Sequence, residues 1–379
     1  MSYPIQDIFN RFYPDFLKVY QPTFEQNKVA NDIIKCKTPA MGGNASFCED
    51  CESVVVHYNS CRDRHCPCCQ GLAKEKWIDK RKSEVVDAPY FHAIFTVPEE
   101  TNPLIYANKK LLYNLMYQAS ADTLKALAAD KKYLNASIGF MSILHTHGQN
   151  LSFHPHLHCI VLGGGLTKDL KFNCAKEDFL FPIFVVAKLF RNKYLDALKA
   201  LFKAGELSFG GSSLRYRNSY EFKELLNTLY RKNWVPHIKE TFKGAQGVIE
   251  YLGRYTHRVA ISNARILSVS EEAVRFRAKD YKNGGKSIII TLSPVEFIRR
   301  FLMHVLPRKF VKIRHYGILS NRVKKVKLAI CRNIVRGRYQ KPILDGMSTA
   351  EILKELFGIN INQCPFCKGN HLKPYHRRE

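Results

Sequence analysis

The chain has 379 residues, 46% of them apolar and 24% charged. Those proportions fit two or three globular domains with a real core and exclude gross disorder, and the scattered Gly and Pro exclude low-complexity structure. Lysine and arginine total 59 against 33 aspartate and glutamate, a formal charge of +26 that attracts polyanions. Nucleic acid and anionic membrane are the two partners of that kind. The longest apolar stretch, Phe179 to Ala187, is interrupted by Pro182. It falls short of the roughly 18 residues a spanning helix needs. Met1 to Phe16 has no apolar signal core and carries acids. The expectation is a soluble, cytoplasmic protein that binds nucleic acid and no membrane.

Residues 1–35 read as helical, with Phe9, Phe12, Phe16, Val19 and Tyr20 as apolar marks. Seven cysteines then fall between Cys36 and Cys69. Without a secretory signal, metal is a better reading than disulfides. Cys48 and Cys51 form one C-x-x-C and Cys66 and Cys69 a second, with fourteen residues between them. Two such knuckles bring four thiolates to a tetrahedral Zn²⁺. Cys36, Cys61 and His65, with His57 nearby, either make a second, interleaved zinc site or are buried neighbours of the first. Cys68 lies inside the second knuckle, where a side chain points away from the metal.

Trp77 to Val86 reads as a charged helix and Tyr90 to Val97 as a strand; Pro103 to Asp130 is helical and Ile138 to His147 a strand. His156 to Leu162 is another strand, closed by Gly163, Gly164 and Gly165. Cys159 and Cys174 read as core cysteines. Helical patterns follow at 183–204, 219–234 and 245–255. Residues 257–269, 273–278 and 287–292 are strand-like, the last two joined by the turn Asn283-Gly284-Gly285. Residues 294–306 are helical and 310–315 strand-like. The whole reads as α+β with a mostly antiparallel sheet. From Arg299 to Lys341 there are 14 Lys/Arg and no acid. That run suits a phosphate-tracking groove, with Phe310, His315, Tyr316 and Tyr339 for stacking. At the far end Cys364, Cys367, His371 and His376 form C-x2-C-x3-H-x4-H. This segment closes a zinc knuckle alone, borrows a remote ligand such as Cys331, or is an empty tail.

The most informative line is LHTHGQNLSFHPHLHCIVLGGG, with His145, His147, His154, His156 and His158. On a strand, His156 and His158 face one side while Leu157 faces the other. Two imidazoles on one face are half of a metal site. A third ligand comes from the neighbouring strand, where His145 and His147 lie; His154 sits behind Pro155. Three neutral imidazoles with open positions suit a catalytic divalent metal.

The second line is GVIEYLGRYTHRVAISN. Tyr251 and Tyr255 are four apart on a helical pattern and point the same way. Arg254, His257 and Arg258 surround them. A phenol is a poor nucleophile at its ordinary pKa of about 10. A metal that polarises a phosphate, with arginines nearby, stabilises the charge of phosphoryl transfer and allows a covalent phosphotyrosine. Arg254 and Arg258, with Arg299, Arg300, Lys312 and Arg314 of the basic run, are the expected DNA contacts.

Together these lines resemble the HUH endonuclease superfamily, and in detail the rolling-circle, two-tyrosine transposases of the insertion-sequence ninety-one family. The resemblance covers nearly the whole chain: YNSCRDRHCPCCQ (58–70), FHAIFTVP (91–98), the histidine line, YLGRYTHRVAISNARI (251–266), KDYKNGG (279–285) and EFIRRFLMHVLPRKFVKIRHYGILSNR (296–322). It implies a zinc-binding domain at 1–86, an antiparallel HUH catalytic domain at 87–320, and a basic C-terminal tail at 321–379 with a possible zinc knuckle at Cys364, Cys367 and His371. It implies that His156 and His158 bind Mg²⁺ or Mn²⁺, with His145 as third ligand, and that Zn²⁺ is structural. It implies Tyr251 and Tyr255 as nucleophiles that form 5′-phosphotyrosine on single-stranded element ends and target, in a nucleoid-associated protein.

The main alternative is a non-catalytic, zinc-dependent DNA-binding protein. It shares the zinc segment and the basic run but needs neither the His pair nor the two tyrosines. A zinc hydrolase needs a carboxylate base beside the histidines, and the nearest acids in sequence are the distant Asp130 and Asp169.

Overall fold

A computed structural model describes residues 4–176, 179–240, 247, 253, 260–280, 283–335 and 341–375. Twelve strands lie in three sheets among these residues, and every pairing is antiparallel. The first sheet holds β1 (Gly43–Cys48), β2 (Val54–Tyr58) and β12 (Leu372–Pro374), in the order β12-β1-β2. The central, six-stranded sheet holds β3 (Tyr90–Thr96), β4 (Ser137–His147), β5 (Phe153–Leu166), β6 (Phe172–Cys174), β7 (His237–Glu240) and β11 (Ile313–Gly317). Its order is β11-β4-β5-β3-β7, with β6 on β5. The third sheet is β10-β9-β8, from β8 (Ile266–Val269), β9 (Val274–Asp280) and β10 (Lys286–Leu292).

The alternation of β3 to β5 decides how the central sheet is covered. Phe91, Ala93, Phe95, Leu157, Cys159 and Val161 point to one face and join the main core. Helices Lys109–Ala129 and Ile183–Lys203 pack there, with Phe190 edge-on to Phe95 at 4.9 Å between centroids. The opposite face carries Tyr90, Met141, Ile143, Ile160 and Leu162. Leu328 and Cys331 of helix Lys324–Ile334 cover it, together with Trp77 of helix Gly71–Lys82. The same face continues toward β5's start as histidines instead of aliphatic residues.

The glycine triplet does not close β5. Gly164 and Gly165 pair with β6, and the strand runs on to Leu166. The reason is close approach: a Cβ on Gly163 would stand 2.6 Å from the Phe91 ring, and one on Gly165 2.4 Å from the Ser137 carbonyl oxygen. Gly165→Ala is therefore expected to cost about 1–3 kcal/mol. Urea unfolding checks this, and an unchanged midpoint would show that the edge of β4 yields freely.

Packing crosses the expected boundaries at 86/87 and 320/321 among the described residues. Helices Pro4–Val19 and Phe24–Lys35 share a core with β9 and helix Pro294–Met303, through Phe9, Phe12, Phe276, Phe297 and Phe301. Residues 321–335 and 341–375 pack on both earlier regions. Helix Lys324–Ile334 covers the central sheet, and β12 adds to the N-terminal ribbon at β1. Cys331 is buried in that sheet-covering core, and Cys174 is exposed at β6. No helix among the described residues is long and apolar enough to cross a membrane.

Candidate functional site

β4 and β5 pair with His145 opposite His156 and Ile143 opposite His158. The three imidazoles share one face, and one nitrogen of each lies within 4.8 Å of one from both others. A register shift between His145 and His147 re-aims the latter. His147 and His154 stay outside the group of three, although both line the same cleft.

Hydrogen bonds orient two of the rings. His156 Nδ1 donates to the His154 carbonyl at 2.7 Å, which leaves Nε2 with a free lone pair. His158 Nδ1 lies 2.8 Å from Nε2 of His92 on β3, so its Nε2 is also turned away from the protein partner. Burial holds His145, His156 and His158 below the ordinary imidazole range, and neighbouring histidines add to this at each; His156 falls to about 4. All three are neutral at pH 7, as a metal ligand must be. Three nitrogen donors beside an open cleft fit a divalent ion with free coordination positions. The donor set is more natural for Mn²⁺ than for Mg²⁺, which prefers oxygen.

The cleft has a volume of ≈ 640 Å³. Thr96, Gln149, His237, Lys239, Ala260 and Arg265 line it beside the histidines, and none of its described lining residues is a carboxylate. Arg265 is anchored, donating to the Gln149 carbonyl at 2.6 Å and to the Arg277 carbonyl at 2.7 Å. Sequence reasoning missed His92, His237 and Lys239. For His92 the signal was present, because His92, Ile94 and Thr96 alternate onto the histidine face.

Tyr251, Tyr255, Arg254, His257 and Arg258 lie outside the described residues. Arg299 and Arg300 are both held by Glu296, at 2.6 Å each, rather than presented as an open phosphate array. Arg314 lies over the Tyr117 ring and donates to Asn114 Oδ1 at 2.5 Å. The Lys312 amine is desolvated, which lowers its pKa to about 8.

The cysteines are grouped differently from the expectation. Cys36, Cys61, Cys66 and Cys69 form one cluster, and Cys48, Cys51, Cys364 and Cys367 another, each with its sulfurs within 4.8 Å of one another. The pairing of Cys48 and Cys51 with Cys66 and Cys69 is thus overturned. The cause is β-pairing: Cys48 sits opposite Leu372, which carries the C-terminal pair Cys364 and Cys367 to Cys48 and Cys51. His65 is not in either cluster. Its Nδ1 is 3.0 Å from Asp63 Oδ1, and its Nε2 accepts from the Leu306 amide at 3.1 Å. His371 likewise turns to Asp50, Nδ1 to Oδ1 2.6 Å. Cys36 and Cys66 lie at 0% exposure in the core of the N-terminal helices, where Gln6 Nε2 donates to the Cys36 carbonyl at 2.7 Å. His376 lies outside the described residues.

Residues 139–327 match a family model described as a putative transposase, and residues 8–97 one described as a transposase zinc-binding domain. The chain is 41% identical over 368 residues to a protein named putative transposase y4qJ, of Sinorhizobium fredii, covering 96% of this chain and 92% of that one. It is 27% identical over 302 residues to the transposase for insertion sequence element IS801 of Pseudomonas savastanoi pv. phaseolicola, covering 77% of this chain and 69% of the relative. No solved structure matches the chain.

Proposed function

The chain belongs to the transposases of the insertion-sequence ninety-one family, and from that premise we propose that it cuts and rejoins single-stranded DNA through phosphotyrosine. It is a DNA transposase with a zinc-binding domain. The observation that carries the finer reading is the convergence of His145, His156 and His158, all neutral, on one face of the sheet. We assign these three to Mn²⁺ or Mg²⁺, and Cys36, Cys61, Cys66 and Cys69 to structural Zn²⁺. Bound there, the divalent ion supplies Lewis acidity toward a phosphate oxygen.

The remaining work falls to side chains. Tyr251 and Tyr255 are the nucleophiles. Ala260, Ile261 and Ser262 line the cleft, and five residues of chain reach at most about 17 Å, so Tyr255 is within range. Gly253, between the tyrosines, lies against Ile78 of a helix that packs on the histidine face. The phenol oxygen bonds to phosphorus and the P–O3′ bond breaks. The phenol proton passes to solvent, and the departing 3′ oxygen takes one up. The product is a 5′-phosphotyrosine and a free 3′ hydroxyl, so the bond energy is kept for rejoining. Lys239 and Arg265 offset phosphate charge in the cleft. Two tyrosines allow two successive strand transfers, as rolling-circle transposition requires.

The test uses purified protein and labelled single-stranded DNA from the flanks of its own gene, with Mn²⁺ or with EDTA. A detergent-stable adduct is expected with Mn²⁺ alone, on the 5′ side of the cut. It should disappear in Tyr251→Phe/Tyr255→Phe. Tight binding with no adduct on any flank would instead favour the non-catalytic DNA-binding reading.

A further inference from the structure

We propose that the chain holds a second structural zinc ion, in a tetrathiolate site built half from Cys48 and Cys51 and half from Cys364 and Cys367. The zinc-binding domain matched in the chain ends at residue 97, so half of this donor set lies far outside it.

Distances come first. Cys48 Sγ is 3.6 Å from Cys367 Sγ, and Cys51 Sγ is 3.7 Å from Cys364 Sγ. A tetrahedron with Zn–S bonds of about 2.3 Å has edges of about 3.8 Å. The separations are far too long for disulfides, whose sulfurs lie about 2.05 Å apart. In the cluster already assigned to zinc, Cys61 and Cys69 sulfurs stand 3.8 Å apart, so the two sets are alike in spacing.

Backbone shape is independent of those distances. Glu52 follows Cys51 with φ 56°, and Lys368 follows Cys367 with φ 64°. Lys37 and Arg62 do the same after Cys36 and Cys61, at φ 57° and 55°. Side chains of this kind avoid the left-handed region, and they keep it where the surroundings over-determine it. Among the described residues, half of the eight non-glycine residues with positive φ directly follow a clustered cysteine, which marks a repeated local turn rather than scattered strain. The turn also aims amides at sulfur: the Gly369 amide donates to Cys367 Sγ at 3.4 Å.

The two halves are closely docked. β1 and β12 pair over Ser46–Cys48, and the Glu49 amide donates to the His371 carbonyl at 3.0 Å. A Cβ on Gly369 would stand 1.9 Å from Asp50 Oδ2, so the two knuckles are in close contact there. The apolar support is small: Val55 and Leu372 pack beside the sulfurs. A three-stranded ribbon with so little core needs a metal or disulfide to persist. Four sulfur donors with no nitrogen or oxygen among them suit zinc or iron, and zinc is the metal proposed. Binding releases the thiol protons to solvent.

The experiment is cysteine alkylation of the intact full-length protein, read by peptide mass spectrometry, together with its metal content. Cys367 and Cys174 are both exposed, so Cys174 serves as the internal control. Cys174 should label at once, whereas Cys367 should resist until a strong chelator is added. Zinc should be two per chain, falling to one in Cys364→Ser/Cys367→Ser and staying at two in His156→Ala/His158→Ala. That last variant separates this site from the histidine site, so the proposal stands or falls apart from DNA cutting. Labelling of Cys367 as fast as Cys174 without chelator would overturn it. So would thiols freed by reductant but not by chelator, or iron in place of zinc. Should the cysteine variant fail to fold, the labelling of wild-type protein decides alone.

Discussion

His158→Ala is expected to slow adduct formation by on the order of 10³-fold, about 4 kcal/mol of transition-state stabilisation. His158 is buried, is bonded to His92, and lies in the middle of the histidine face. Its removal deletes one of three donors and the contact to the His92 ring as well. The sheet around it stays intact, because Leu157 and Cys159 hold the opposite face in the main core. Zinc content and melting should therefore stay near wild type while single-turnover cutting falls. His147→Ala is the comparison, since it lines the cleft without joining the three. It should cost much less. Equal losses in the two variants would remove the reason for choosing these three nitrogens.

Cys66→Ser should have the largest effect on folding. Cys66 is buried in the same core as Phe9, Phe12, Phe297 and Phe301. A structural zinc contributes roughly 10–16 kcal/mol of apparent binding free energy in small peptides. Whole domains are stable by only about 5–15 kcal/mol. Losing one of four ligands is therefore enough to release the N-terminal layer. Hydrogen exchange should show lost protection in Pro4–Val19, Phe24–Lys35 and Pro294–Met303. β3 and β5 lie in a separate core and should keep theirs. Full protection of the N-terminal helices in this variant would show that aromatic packing suffices without the metal.

The central strands and the shared face of His156 and His158 were legible because a two-residue alternation has one structural meaning. The N-terminal helices and edge strand β11 followed from patterning in the same way, whereas β6 and β7, three and four residues long, are too short to show a period. β1 was not legible: Gly43–Cys48 has little apolar patterning and sits among cysteines. Partner choice among the cysteine pairs was misread for an energetic reason. Closing a loop of roughly 300 residues instead of fourteen costs only about 3 kcal/mol more. Nearness in sequence is thus a weak guide once a strand pairing favours the distant partner. Glu296 with Arg299 and Arg300 was a missed signal, since acid and base three and four apart on a helix pair with each other. The tyrosine segment remains a reading of sequence, because it lies outside the described residues.

The two cysteine clusters also differ in when they can exist. All four sulfurs of the first lie within residues 36–69 and are available early in synthesis. Cys48 and Cys51 must wait for Cys367, roughly 300 residues later. At about 5–20 residues per second, that delay is on the order of 15–60 s. During that interval a nascent chain exposes two thiols whose partners have not been made. They are open to oxidation, or to capture by the metal of the neighbouring cluster. A ribosome that stalls before residue 367 leaves the ribbon permanently half-built, and the unfilled C-x-x-C would then distinguish a truncated transposase from a finished one.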